Sequence, residues 1–139
     1  MAVYSSVFNI STKGWNDVHD ITTNVNSIIS SAKINNGIVT VFVPGSTAGI
    51  TTIEYEPGVV EDLKKAIDRL IPKDIHYNHD ARWGDGNGFA HVRASFIGPD
   101  LIIPLIDGEL QLGTWQQIVV IDFDNRPRTR KICVSIIGD

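Results

Sequence analysis

The run Gly37-Ile38-Val39-Thr40-Val41-Phe42-Val43 decides the fold class. Apolar residues fall on both faces of an extended chain here, so the run reads as a central strand covered on both sides. Pro44-Gly45-Ser46 breaks it. Upstream, residues 3–10 favour a first strand. Asp17 or Asp20 then suits a helix cap, and Ile21, Val25, Ile28, Ile29 and Ala32 recur at helical spacing before Asn35-Asn36-Gly37 ends the helix. Downstream, residues 48–55 read as a strand, with Ile50, Thr52 and Glu54 sharing one face. Pro57 suits a first helical turn, Val60, Leu63, Ile67, Leu70 and Ile71 form the next apolar stripe, and Pro72 ends it.

Residues 76–88 show little periodicity and read as an irregular glycine-rich stretch. Residues 90–97, 101–106, 117–124 and 129–137 read as strands, with Asp107-Gly108 as a hairpin turn and Pro104 at an edge or bulge. The expected fold is α+β, two helices packed on a mainly antiparallel β-sheet sandwich, with residues 1–139 forming one domain.

Composition narrows the function. Hydrophobic residues make up 42% of the 139, an ordinary value for a chain with a packed core. Twelve basic against sixteen acidic residues give a net charge of -4, which argues against broad nucleic-acid binding. The single cysteine, Cys133, leaves no internal disulfide. The N-terminal residues lack a signal-peptide pattern, and no run approaches the roughly 20 apolar residues of a membrane span. The expectation is a cytoplasmic protein with neither a nucleic-acid nor a membrane partner.

The chemistry concentrates in His79-Asp80-Ala81-Arg82-Trp83-Gly84-Asp85-Gly86-Asn87-Gly88-Phe89-Ala90-His91. Imidazoles bind metals or move protons near neutral pH, and aspartates hold divalent ions or orient imidazoles. If residues 90–97 are extended, His91, Arg93 and Ser95 share a face suited to a phosphate; the plainer reading is a solvated sheet face. Ser46 and Thr47, beside Gly49, suit an anion or an ordinary turn. Glu54 is expected to point inward or, equally, to sit in water. Trp115 and Gln116 suit a ring-binding wall or simple packing. Arg128 and Arg130 offer positive charge to a phosphate or cap a solvated hairpin, while His19 and His76 read as surface residues.

Several runs together resemble the YjbQ-like family. They are Ser46-Thr47-Ala48-Gly49-Ile50-Thr51-Thr52, Trp83-Gly84-Asp85 through Ala90-His91, Ile103-Pro104-Leu105-Ile106-Asp107-Gly108, Leu112-Gly113-Thr114-Trp115-Gln116 and Arg128-Thr129-Arg130-Lys131. The resemblance extends over nearly the whole chain. It implies a YjbQ-like fold, a homotrimer, and weak secondary thiamine-phosphate synthase activity, joining a pyrimidine diphosphate to a thiazole phosphate. It makes His79, His91, Asp85 and Glu54 the expected catalytic residues. Of these, His79, His91 and Asp85 are also the expected ligands of a divalent ion, magnesium or zinc. Gly45 stands where the family commonly carries a histidine. The alternatives are a metal-dependent hydrolase of a phosphorylated small molecule and a non-catalytic trimeric metabolite-binding protein.

Overall fold

A computed structural model describes all residues, Met1–Asp139. Eight strands and four helices follow in the order β1 (Ala2–Thr12), β2 (Asp17–Asp20), α1 (Thr22–Ala32), β3 (Gly37–Phe42), β4 (Ala48–Ile53), α2 (Pro57–Leu70), α3 (Asn78–Trp83), α4 (Gly88–Ile97), β5 (Asp100–Ile106), β6 (Glu109–Leu110), β7 (Gln117–Asp122) and β8 (Arg128–Gly138). They build two antiparallel sheets, ordered β1-β8-β3-β5-β6 and β2-β7-β4.

The expected central strand is β3, hydrogen-bonded to β8 on one side and β5 on the other. Its inward residues Val39 and Val41 are fully buried, but its other face carries Ile38 and Phe42, both exposed. The strand covered on both faces is β7 instead. Ile118 and Val120 pack toward the five-stranded sheet with Val39, Ile132, Val134 and Ile136, whereas Val119 and Ile121 pack with Ile67, Phe89 and Ala94 of α2 and α4. The three-stranded sheet is therefore a middle layer between the larger sheet and those helices. Each fully buried Val or Ile in it contributes about 1.5–3 kcal/mol.

Local signals explain most boundaries. Glu56 caps α2 by accepting hydrogen bonds from the Gly58 and Val59 amides, and Pro57 occupies the first turn. Asp20 accepts from the Thr22 amide and hydroxyl ahead of α1. Asp107 and Gly108 take positive φ of 52° and 79° and make the expected β5–β6 turn. β6 pairs only with Leu105 and Ile106, and Pro104 lies at the end of that pairing, where its carbonyl accepts from the Gln111 amide and no amide of its own is needed.

Two expectations are corrected. Residues 90–97 are not a strand but most of α4, and the stretch expected to be irregular contains α3, so four helices replace two. The buried residues of α4 are Gly88, Phe89, Ala90, Arg93 and Ala94, a helical spacing. A charged residue on that inner face interrupts its apolar pattern, which is why the segment imitates alternation. No helix is long and apolar enough to cross a membrane.

Candidate functional site

Three segments converge on one cleft: the Gly45-Ser46-Thr47 loop entering β4, the α3–α4 connection, and the start of β8 after the chain crosses from β7 to the other sheet. The cleft has a volume of about 400 Å³, and its walls include Ser46, His79, Trp83, Asp85, His91, Arg128 and Arg130. A second cavity of about 270 Å³ adjoins it and shares Gly45, Ser46 and His91, with Ser95 on its far side.

The α3–α4 connection is fixed by short-range chemistry. Gly84 ends α3 with φ 73°. Asp80 Oδ1 accepts a 2.8 Å hydrogen bond from the Gly88 amide. A side chain at Gly88 would collide with Tyr77, its Cβ falling 2.6 Å from the Tyr77 Cβ, so the close approach needs glycine. This brings His79 and His91 together, with ring centroids 4.5 Å apart and planes inclined by 42°.

His79 Nδ1 is buried without a hydrogen-bond partner. It lies 3.3 Å from Asp85 Oδ1 and 3.5 Å from Asp80 Oδ1. One ligand atom from each of these three residues lies within 4.8 Å of the others. Ligands bound about 2.1 Å from a common cation stand roughly 3.0–3.4 Å apart, and one imidazole with two carboxylates is an ordinary donor set for a divalent ion. The residues fit such an ion. The third side chain within this reach is Asp80; the ring of His91, also expected in the set, lies beside that of His79.

Beneath the cleft lies a buried ionic network. Asp122 accepts two hydrogen bonds from Arg130, from Nε at 2.7 Å and Nη2 at 2.9 Å, and a third from Thr12. Asp124 accepts from Thr47, Asn87, the Asn125 amide and Arg128. Both carboxylates are fully buried. Burial pushes the Asp124 carboxyl up, but the Asn125 amide, Asn87, Arg128 and Thr47 outweigh it and hold its pKa at about 2. Because the folded value is depressed, the associated stability is present above the ordinary value of 3.8 and lost as pH falls through about 2. Chemical denaturation should therefore show a loss on the order of 2 kcal/mol from this group across that interval, and Asp124→Asn should reduce the pH slope there. An unchanged slope in the variant would contradict the assignment.

Of the other expected site residues, only Ser95 borders either cavity. Arg93 is 2% exposed and points away from the histidines, donating to the Ile71 carbonyl and Asn16 Oδ1 and pairing with Asp68 at 3.1 Å. Burial lowers its pKa, and Asp68 opposes the shift. It locks α4 to the end of α2, so the expected His91/Arg93/Ser95 face does not exist. Ser95 donates to the His91 carbonyl within α4. Glu54 is exposed just beyond the end of β4 opposite Ser46 and Thr47. Trp115 is also exposed, and Gln116 bonds Thr52 and the Gly113 amide beside a separate cavity. Trp83, 67% exposed, is the tryptophan lining the cleft.

Comparison with known proteins places this geometry in a family context. The family described as "UPF0047 protein YjbQ-like" matches residues 6–139. A UPF0047 protein of Methanocaldococcus jannaschii is 39% identical over 133 residues, covering 95% of this chain and 93% of that relative. One from Methanothermobacter thermautotrophicus is 36% identical over 138 residues, covering 99% and 94%. A crystal structure of a YbjQ-like protein of unknown function from Sulfolobus solfataricus superposes with a TM-score of 0.94 at 34% identity, covering 99% of each chain.

Proposed function

The chain belongs to the YjbQ-like UPF0047 family, and from that premise we propose that it is a small-molecule transferase of the thiamine-phosphate synthase type. In the reaction the ring nitrogen of a thiazole phosphate attacks the methylene carbon of an aminopyrimidine methyl diphosphate. The carbon–nitrogen bond forms as the carbon–oxygen bond breaks, and diphosphate leaves with the electron pair.

The observation that carries this reading is the pair of adjoining cavities meeting at Gly45, Ser46 and His91, with Arg128 and Arg130 in the wall of the larger one. Such a cleft holds two small molecules side by side, which lowers the entropic part of the barrier. Nη1 of Arg128 and of Arg130 has no protein acceptor and is free to bind phosphate oxygens. His91 stands between the cavities, where its imidazole can hold or move a proton, and Trp83 offers an apolar surface to a ring. His79, Asp80 and Asp85 would hold a divalent ion, magnesium or zinc, whose charge would offset that of the diphosphate.

Homotrimer formation is part of the proposal. The family resemblance supplies the number, and the outer face of the five-stranded sheet supplies a surface. Val3, Ile137 and Ile38 are cross-strand neighbours there, as are Val7, Cys133 and Phe42. Val3, Val7, Ile38, Phe42 and Ile137 are all exposed.

The test is incubation of the purified chain with both substrates and magnesium or zinc. Thiamine phosphate and one equivalent of diphosphate are the expected products; neither product with either cation would contradict the reading. The donor set of His79, Asp80 and Asp85 favours a second reading, metal-dependent hydrolysis of a phosphorylated small molecule. Phosphate release from one substrate alone, abolished by chelation, would select it. A rise in melting temperature with ligand and no turnover would select metabolite binding without catalysis.

A further inference from the structure

We infer that Gly45 determines specificity by leaving Nη1 of Arg130 open to a phosphate group of the ligand. This rests on the reading that the cleft takes a phosphorylated substrate.

Arg130 is 8% exposed and otherwise committed. Nε and Nη2 donate to both oxygens of Asp122, and Nη2 also donates to Thr47 Oγ1 at 2.7 Å. Only Nη1 is without a protein acceptor, and Arg130 lines the cleft. Unlike His79 Nδ1, this atom keeps contact with solvent, so water meets it in the cleft until an anion displaces that water.

Gly45 controls access to that atom. Its φ is +118°, a conformation that residues with a side chain rarely adopt. A Cβ placed there would lie 3.2 Å from Arg130 Nη1, the one heavy atom it would closely approach. Any larger side chain would occupy the space through which an anion reaches the guanidinium. Arg128 supplies a second unpaired Nη1 in the same wall, since its Nε and Nη2 both donate to Asp124 Oδ2. The two cations are neutralised from behind by Asp122 and Asp124. Discrimination therefore comes from hydrogen-bond direction and free space more than from net charge, which suits the tetrahedral oxygens of a phosphate monoester or diphosphate end.

The test uses inorganic phosphate as the probe on nitrogen-15-labelled chain. Phosphate should shift the Arg130 Nε–H resonance saturably and leave that of Arg93 unmoved. Gly45→Ala should weaken phosphate binding by about tenfold or more, while manganese binding at His79, Asp80 and Asp85 stays at the wild-type level. Wild-type phosphate affinity in folded Gly45→Ala, or phosphate shifts confined to the exposed Arg82 and Arg126, would overturn the inference. If Gly45→Ala fails to fold, the wild-type titration still decides whether phosphate reaches Arg130. Phosphate bound at Arg130 without thiamine phosphate formation would count against the transferase reading alone. Product formation with the Arg130 resonance unmoved would count against the Gly45 inference alone.

Discussion

Asp122→Ala is expected to cost about 3–5 kcal/mol of folding stability, because it removes the hydrogen-bonded counter-ion of a largely buried guanidinium and leaves only Asp124, 3.9 Å away. Arg130 gives two of its nitrogens to that carboxylate, and Thr12 gives its hydroxyl. Asp122 and Arg130 cannot swing clear of each other: Asp122 is fully buried at the end of β7, and Arg130, in β8 of the facing sheet, reaches the cleft only through Nη1. For a chain of 139 residues the change corresponds to a melting temperature lower by roughly 10–20 °C. Thermal denaturation of the variant checks this. A shift of only a degree or two would mean that water replaces the carboxylate and that the network is not a structural floor for the cleft.

The second large effect is on activity. His79→Ala should lower turnover by about 10²-fold or more while leaving the fold intact, because it loosens the hold on an ion whose charge stabilisation is worth several kcal/mol. His79 is partly exposed, its Nδ1 makes no hydrogen bond to the protein, and its removal creates no buried charge. The same substitution should weaken divalent-ion binding, because it removes the nitrogen donor from the set completed by Asp80 and Asp85. Steady-state rates with the aminopyrimidine and thiazole substrates, paired with manganese titration, provide the check. Wild-type turnover in the folded variant would remove His79 from the mechanism.

Much of the sheet architecture was legible because strands announce themselves by local pattern. β1, β3, β4, β5, β7 and β8 all fall close to runs that the sequence marks as extended. What was hidden depended on partners far away in the chain. β2 is four residues long and holds its place through pairing with β7, a contact that no local signal reveals. α4 was disguised by Arg93, whose burial is repaid by the Ile71 carbonyl, Asn16 and Asp68 from distant segments.

The site was legible in part for the same reason. His79, Asp85 and His91 lie on consecutive local elements, and the structure brings them to one cleft with Arg128 and Arg130. Ser46 and Thr47 join them. Glu54, Trp115 and Gln116 do not, because β4 carries Glu54 away from Ser46, Trp115 stands exposed, and Gln116 flanks a different cavity. Asp122 and Asp124 were missed, although a signal existed. They stand two apart at the end of an otherwise apolar run, in phase with the inward residues Ile118 and Val120. Arg128 and Arg130 return two apart on the next strand, and inward charges of opposite sign on consecutive strands of facing sheets are natural partners.

Diffraction from crystals soaked in manganese and inorganic phosphate would test the central claim most directly. The expected result is an anomalous peak bounded by His79 Nδ1, Asp80 and Asp85, and phosphate density in the same cleft within hydrogen-bond distance of Arg130 Nη1. A cleft that takes up neither ion, with His79 still unpartnered and phosphate found only on surface lysines, would contradict it.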